Sequence, residues 1–260
     1  MTKTQKQKSS QYADVKSWEL SDSMWKRIEP MLPKPKSRYR GRGRARRHIG
    51  GRPAADRRKV ITGILYVLRT GCQWNALPKD LGSGKTAHHY FQAWSRRGVF
   101  KRLWQAGLQE FDELKGIAWK WQAADGVMTK SPLGGEKTGK NPTDRSKLGT
   151  KRSLLVNEQG LPLGIIVSGA NRPDGPLLKP TLDSMPIERP DGLRTEQHLC
   201  LDKAYSNEPC TTVAEQADYI VHVPDKDNAK KNASGSPAVA NRAAGSWKSH
   251  IHGSIAFVVC

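Results

Sequence analysis

The spacing of apolar residues changes near residue 117, and this change constrains the fold more than any other feature of the sequence. Upstream, Val60, Ile61, Ile64 and Leu68 recur at the interval of one face of a helix. Downstream, short apolar runs bounded by turn residues predict strands that alternate with helices. We therefore expect an all-α N-terminal part followed by an α/β part.

The N-terminal part contains several predicted helices. Ser21 or Asp22 caps a short helix that runs to Met31. Three further helices are predicted over residues 54–70, 85–97 and 99–114, with a turn at 71–78 between the first two. Small DNA-binding domains of the helix-turn-helix type are built this way, although any three-helix module gives the same pattern.

The α/β part has a definite order of predicted elements. They are a strand from Trp119 to Asp125, a hairpin of strands 153–157 and 161–168, a helix over 175–184, a strand over 198–202, a helix over 208–216 and a strand over 219–224. A Gly- and Lys-rich loop is expected over 133–151. This order resembles an RNase H-like α/β core.

Net charge is the strongest indication of a partner. The 260 residues include 44 Lys or Arg and 24 Asp or Glu, for a net charge of +20, which favours polyanions such as DNA, RNA or an anionic membrane surface. Residues 34–53 are too polar to bury a core, and we predict a flexible basic arm that binds the DNA backbone, with a solvated loop as the alternative. The predicted contacts of this arm are Arg38, Arg40, Arg42, Arg44, Arg46, Arg47 and Arg52.

The cysteines and the apolar stretches exclude several other classes of protein. Cys72, Cys200, Cys210 and Cys260 form no C-x-x-C pair, so the sequence indicates neither a zinc site nor a disulfide framework. The longest apolar stretch, residues 60–68, is far shorter than a membrane span. The polar N-terminus has no signal peptide, and we expect a cytoplasmic, nucleoid-associated bacterial protein with no membrane partner.

Two aspartates have the placement of catalytic residues. Asp125 and Asp202 each follow an apolar strand and precede a loop, and ligands bind at such strand ends in α/β sheets. Two carboxylates on adjacent strands can share hard cations such as Mg²⁺, which activate water and stabilise the leaving oxygen in phosphodiester cleavage. The alternative is that each Asp caps the turn or helix that follows it.

Several short motifs occur together in this chain. Those in the N-terminal part are Gly50-Gly51-Arg52-Pro53, Arg69 to Trp74, Leu77-Pro78 and Tyr90-Phe91 with Trp94. Those in the α/β part are Ala124-Asp125-Gly126, Gly160 to Leu163, Ala170 to Asp174 and Leu201 to Tyr205. In combination they resemble the transposases of the insertion-sequence-five group, and the similarity runs from residue 18 to residue 227.

This resemblance implies an RNase H-like DDE catalytic domain with three metal-binding carboxylates, of which Asp125 and Asp202 match the first and the second. It implies Mg²⁺ as the cofactor, with Mn²⁺ as an alternative ion, and double-stranded DNA as the partner, both the terminal inverted repeats and the target. We expect a homo-oligomer in the active state. Further DNA contacts are expected at Lys85, His88, Arg96 and Lys203, and Tyr205 is expected near a phosphate.

The expected organisation has four segments. They are a disordered basic tail at 1–17, a helical DNA-binding domain at 18–116 that carries the arm, an incomplete catalytic domain at 117–227 and a tail at 228–260. The family's third carboxylate lies on a later helix, in a stretch resembling W-V-V-E followed by S-W. This chain has no Asp or Glu after Asp227.

The genetic code accounts for the missing carboxylate. When the codons of Trp247-Lys248 are read one nucleotide earlier, they must give Glu, and residues 245–248 then permit W-V-V-E. We therefore predict that the tail is read out of frame, through a gene lesion or through programmed slippage near Lys230-Lys231.

The predicted function is that of an insertion-sequence transposase that cuts and joins DNA and is impaired by the loss of the third carboxylate. One alternative is a non-catalytic DNA-binding regulator derived from the same element. Another is a general nucleic-acid-binding protein.

Overall fold

A computed structural model of the chain describes residues 19–34, 39–40, 47–48, 53–192 and 195–224. The chain divides into two compact units, one up to Trp104 and one from Gln105 onward. We expected the boundary at residue 116, and the division falls instead within a helix that ends at Lys115. The expected tails at 1–17 and 228–260 lie outside the described residues.

The first unit begins with a short helix, α1, over Asp22–Ile28. Its N-cap is Ser21, whose hydroxyl accepts a hydrogen bond from the Met24 amide at 3.2 Å, as the sequence predicts. A 3₁₀ turn over Glu29–Met31 follows. Two short strands, β1 (Tyr39–Arg40) and β2 (Arg47–His48), then pair antiparallel.

The three longer helices of the N-terminal part form close to their predicted bounds. They are α2 (Arg57–Thr70), α3 (Gly84–Arg96) and α4 (Val99–Lys115). Asp56 caps α2 by accepting hydrogen bonds from the amides of Arg58 and Lys59 at 2.8 and 3.3 Å. The helix starts at Arg57, three residues after the predicted start, because the Asp56 side chain satisfies two of the amides that lack an intrahelical partner.

Apolar residues from these elements form one core. Its buried members are Leu20, Leu32, Val60, Ile61, Ile64, Val67, Leu77, Ala87, Trp94 and Val99. The first turn of α3 packs directly on the chain after α2, since a Cβ at Gly84 would overlap the carbonyl oxygen of Trp74. The helix, turn, helix arrangement that we predicted is therefore confirmed.

The second unit contains a six-stranded mixed sheet. Its strands are β3 (Trp121–Lys130), β4 (Gly139–Lys140), β5 (Leu148–Asn157), β6 (Pro162–Gly169), β7 (His198–Leu201) and β8 (Ile220–His222). Five of the strands lie in the order β6-β5-β3-β7-β8, and β4 lies beside the start of β5. Helices α5 (Leu178–Asp183) and α6 (Glu208–Glu215) connect the later strands.

The pairing in this sheet is antiparallel on one side of β3 and parallel on the other. β6, β5 and β3 are antiparallel neighbours, whereas β7 and β8 run parallel to β3. An antiparallel meander followed by two parallel strands, each reached through a helix, is an RNase H-like fold. The predicted fold class is confirmed.

The two faces of the sheet differ because successive residues of a strand point to opposite sides. One face carries Ser153 of β5, whose hydroxyl accepts a 2.7 Å hydrogen bond from the hydroxyl of Thr181 on α5, so α5 covers this face. The opposite face carries the buried side chains of Ala123, Leu154 and Val156. Asp125 lies two residues beyond Ala123 and therefore on this second face.

A buried polar network fixes the start of β3 against the later strands. The Tyr219 hydroxyl donates to Gln122 Oε1 at 2.7 Å, and Gln122 Nε2 donates to Gln197 Oε1 at 3.0 Å. Both glutamines are almost fully buried, so each lost bond would leave a costly unsatisfied group. The network holds the start of β3 in register with β7 and β8.

Two sequence predictions about this sheet are wrong in extent. β3 does not end at Asp125 but continues to Lys130, and β5 begins at Leu148, inside the expected loop. The reason is the same for both: β3 and β5 pair with each other along residues that the Gly and Lys content marks as turn-like.

Candidate active site

The sheet brings Asp125 and Asp202 side by side. The parallel pairing of β3 with β7 ends at Ala124 opposite Leu201, and the next residue of each strand is an aspartate. Adjacent strands lie about 4.8 Å apart, so the two carboxylates can reach one ion. Both side chains are half-buried.

Each of the two carboxylates is held by a local hydrogen bond. Asp125 Oδ1 accepts from the Gly126 amide at 2.7 Å, and Asp202 Oδ1 accepts from the Ala204 amide at 2.8 Å. The second bond caps the 3₁₀ turn over Lys203–Tyr205. Asp202 is therefore a cap, as the alternative interpretation predicted, but a capping carboxylate uses one oxygen and keeps a second one for an ion.

A third carboxylate, Asp174, lies close by on the other face of the sheet. Its Oδ2 accepts from Lys151 Nζ at 3.0 Å, and the Lys151 side chain is only 6% exposed. A Cβ at Gly126 would overlap Asp174 Oδ1 and lie 3.1 Å from its Cγ. The absence of a side chain at Gly126 thus leaves room for Asp174. This explains why a glycine follows Asp125 in the Asp-Gly motif.

Tyr205, which we expected near a phosphate, is fully buried, so that prediction is wrong. Burial raises the pKa of Tyr205 well above its ordinary value, and the negative charges of Asp174, Asp125 and Asp202 raise it further, against the effect of the nearby Ser153 hydroxyl. Tyr205 is therefore a buried residue close enough to all three carboxylates for their charges to act on its hydroxyl.

Sequence reasoning missed Lys151 and Asp174 as members of this region. Lys151 stands in a stretch whose Lys content predicts exposure. Asp174 is the last residue of the Ala170-to-Asp174 motif, and this motif was the sequence feature that could have pointed to it.

The donor set fits a hard divalent cation. Mg²⁺ is commonly bound by one or two carboxylates, with water and substrate phosphate in the remaining positions. Asp125 and Asp202 supply two such carboxylates. Among the described residues, no group of three or more His, Cys, Asp and Glu side chains is arranged to hold a metal, so the described part of the site has no third protein ligand.

The other predicted DNA contacts have different surroundings. Lys85 and Arg96 are exposed on α3, and the interval from 85 to 88 to 96 puts all three predicted contacts of this helix on one face. The ring of His88 stacks on Trp74 at 5.0 Å, so it is partly a packing residue. Lys203 is exposed beside Asp202.

The basic arm is described only in part. Arg38, Arg42, Arg44, Arg46 and Arg52 lie outside the described residues. Arg40 and Arg47 are opposite each other in the β1–β2 pair. The arm was predicted to lack secondary structure, and this two-stranded pairing corrects that prediction for residues 39–40 and 47–48.

Sequence comparisons identify the family. Residues 122–253, about half of the chain, match the family described as "Transposase DDE domain", and residues 20–104 match the one described as "Putative transposase of IS4/5 family". The chain therefore belongs to the DDE transposases of insertion sequences. The first match extends past Asp227 into the segment that we predict to be out of frame.

Two proteins of Burkholderia cepacia are similar to the chain. It is 34% identical over 125 residues to the "Insertion element IS402 uncharacterized 16.2 kDa protein", covering 47% of this chain and 80% of that protein. It is 44% identical over 61 residues to the "Putative transposase for insertion sequence element IS402", covering 24% of this chain and 28% of that protein. The chain thus spans most of the first relative and under a third of the second.

Solved structures of transposases resemble the chain more distantly. The crystal structure of the Mos1 mariner paired end complex with Mn aligns with 96% of this chain and 78% of that chain, at 10% identity and a TM-score of 0.31. The strand order given above, rather than this alignment, establishes the fold. In the described part of the chain, none of the helices has both the length and the apolar character that a membrane crossing requires.

Proposed function

We propose that Asp125 and Asp202 bind Mg²⁺, with Mn²⁺ as an alternative ion, at the site where an insertion-sequence transposase cuts and joins DNA. The observation that carries the proposal is the register of β3 and β7, which puts the two aspartates at adjacent positions. When bound, such ions activate water and stabilise the leaving oxygen of a phosphodiester. Lys203, exposed next to Asp202, is the nearest predicted phosphate contact.

The proposed substrate is double-stranded DNA that carries the terminal inverted repeats of the element, together with target DNA. The +20 net charge supports a polyanionic partner. We assign backbone contacts to the basic arm and to the exposed face of α3 with Lys85 and Arg96. The active form is proposed to be a homo-oligomer acting on nucleoid DNA, because both ends of an element must be cut.

We further propose that cutting by this polypeptide is weak, because the described site has two carboxylates and residues 228–260, where the resemblance implies the third, contain no Asp or Glu. The same observation favours one alternative, a DNA-binding regulator without catalysis. An out-of-frame tail would account for the missing carboxylate in either case, in a weak transposase or in a regulator. The similarity to two differently named proteins of one insertion element is compatible with a coding region divided between frames.

Metal binding tests the site directly. Mn²⁺ affinity, measured by electron paramagnetic resonance, is expected to fall at least about tenfold in Asp125→Asn and in Asp202→Asn, since each removes a charged ligand. The matched control is Asp183→Asn, an exposed carboxylate on α5. Equal Mn²⁺ affinity in all four chains would refute the proposed site.

Cleavage separates the transposase from the regulator. The chain as written and a chain with the tail restored to the W-V-V-E frame are incubated with terminal-repeat DNA and Mg²⁺. We expect both to bind the DNA and only the restored chain to cut it efficiently. Robust cutting by the chain as written, abolished by Asp125→Ala, would refute both the impairment and the regulator alternative. Sequencing codons 225–260 checks the frame itself, because a gene with no W-V-V-E in any frame contradicts it.

A further inference from the structure

A cavity of about 490 Å³ opens beside Asp125. Its lining follows β3 from Asp125 to Lys130 and includes Asn141, Thr143 and Asp144 of the loop that follows β4. The volume is in the range of binding pockets for small organic groups. One end of this cavity is thus a proposed metal ligand, and the other end is a lysine.

The loop that closes the cavity, residues 141–147, is organised by Asn141, and we call it the Asn141 loop. Asn141 is 7% exposed. Its Oδ1 accepts from the amide and the hydroxyl of Thr143 at 3.0 and 2.8 Å, its carbonyl accepts from the Ser146 amide at 3.0 Å, and its own amide donates to the Lys147 carbonyl at 2.8 Å. These bonds close the loop into a compact turn.

Two successive residues of this loop have left-handed backbone conformations. The φ angles are 50° at Arg145 and 56° at Ser146, a region that residues other than glycine seldom adopt. Such conformations persist only where the surrounding bonds enforce them, and they concentrate at sites that hold a ligand. The Asn141 loop therefore has its shape before any ligand arrives.

The exposed side chains around the cavity are mainly cationic. Lys140, Arg145 and Lys147 are exposed and lie next to or close to lining residues in the sequence, and Lys130 is 72% exposed with its Nζ 3.4 Å from Asp144 Oδ2. Asp144, the single carboxylate of the loop, is therefore already paired with Lys130, and the loop with its neighbouring cations has a net positive charge.

The length of the cavity suits DNA. Lys130 is five residues beyond Asp125 on one strand, which is about 17 Å at the usual rise of a β-strand. That distance is about half of a duplex turn of roughly 34 Å. The side chains of Asp125 and Lys130 leave opposite faces of β3, but both line the cavity, which follows the part of β3 beyond the end of its pairing with β7 at Ala124. A duplex that lies along this edge of β3 therefore has phosphates within reach of Lys130 and the Asn141 loop.

We propose that this cavity and the Asn141 loop bind the sugar-phosphate backbone of DNA beside the phosphodiester that Asp125 and Asp202 hold. Lys130, Arg145 and Lys147 contact phosphates. The choice of DNA as the ligand rests on the proposed function, in which DNA is bound at Asp125. The contact is distinct from those of the basic arm and α3.

Salt dependence measures these contacts. A fluorescein-labelled mixed-sequence duplex of about 30 bp, three turns, is titrated with the full chain at several NaCl concentrations. Arg145→Ala/Lys147→Ala is expected to reduce the slope of log Kd against log salt by about 1.8, or about 0.9 for each phosphate contact. Lys120→Ala/Lys179→Ala, the matched control, removes two exposed lysines elsewhere in the same unit. Equal changes of slope in the two variants would overturn the proposal.

Asn141→Ala tests the arranged loop without a change of charge. We expect DNA affinity to fall several-fold while the circular dichroism spectrum stays that of the parent chain. A folded Asn141→Ala chain that binds DNA as tightly as the parent would also overturn the proposal.

Cutting of bound DNA by hydroxyl radicals from Fe²⁺ separates this inference from the proposed function. With Fe²⁺ and ascorbate, the parent chain is expected to cut DNA near its metal site, and Asp125→Asn is expected to lose the cuts. Arg145→Ala/Lys147→Ala should also lose them, whereas the lysine control keeps them. Unchanged cuts in the loop variant refute the inference alone. A parent chain that cuts nothing refutes the metal site, and the salt slopes still decide on the loop.

Discussion

Replacing Lys151 with Met should expose how much the second unit depends on one internal ion pair. Lys151 Nζ lies 3.0 Å from Asp174 Oδ2, and the exposed fractions of the two side chains are 6% and 23%. Met keeps most of the unbranched stem and removes only the charge. Asp174 would then keep its negative charge with Oδ1 already lacking a hydrogen bond within the described residues.

The size of the loss follows from burial. Breaking a fully buried pair by removing one partner costs about 3–5 kcal/mol. Asp174 retains access to water through its exposed fraction, so we expect about 2–3 kcal/mol for Lys151→Met. Changing both partners, in Lys151→Met/Asp174→Asn, removes the unpaired charge, and at least half of the lost stability should return.

Urea denaturation followed by circular dichroism, with EDTA present so that no metal contributes, measures these differences. The control is Lys179→Met, which breaks an exposed i,i+4 pair with Asp183 at 3.1 Å and should cost at most about 0.5 kcal/mol. The reasoning fails if Lys151→Met costs no more than the control, or if the double variant is no more stable than Lys151→Met.

Two further predictions concern packing and pH. Gly84→Ala places a Cβ against the Trp74 carbonyl and should lower the melting temperature. Gly107→Ala adds a carbon with no atom within 4 Å, and it should stabilise the chain by about 0.5–1 kcal/mol. Similar melting curves for the two variants would contradict this prediction. Burial, and then the charge of His198, lower the pKa of His222 below its ordinary 6.5, so the unfolded chain binds this proton more readily. Stability should therefore fall as the pH drops below 6.5, and less so in His222→Gln; an identical pH dependence in the two chains would count against it.

Local patterns predicted the elements of this chain well where the determining contacts are local. Asp56 and the apolar residues of α2 lie within one segment, and the helix forms there. The extent of β3 could not be predicted in this way. Gly126 has the appearance of a strand end, yet pairing with Ser153 continues through it, and the need for a glycine comes from Asp174, a distant residue in the sequence.

The same limit applies to the site. Asp125 and Asp202 were predicted because each follows its own strand, and their adjacency needs only that the strands be neighbours. Lys151 was missed, and Tyr205 was wrongly expected near a phosphate, because the burial of each depends on partners that only the fold brings close. A lysine in a Gly- and Lys-rich stretch is ordinarily exposed, and only the carboxylate of Asp174 makes this one an internal counter-ion.

The position of the two aspartates depends more on the hairpin than on the parallel contact between their own strands. β3 pairs with β5 over nine residue pairs but with β7 over only four. Because side chains alternate between faces, a slip of one residue in the longer pairing would move Asp125 to the face that α5 covers. The polar network at Gln122 opposes such a slip from one end of β3, and the packing of Gly126 on Asp174 opposes it beyond Asp125. Asp174, which is not one of the two proposed metal ligands, thus helps to hold Asp125, which is one of them, in position.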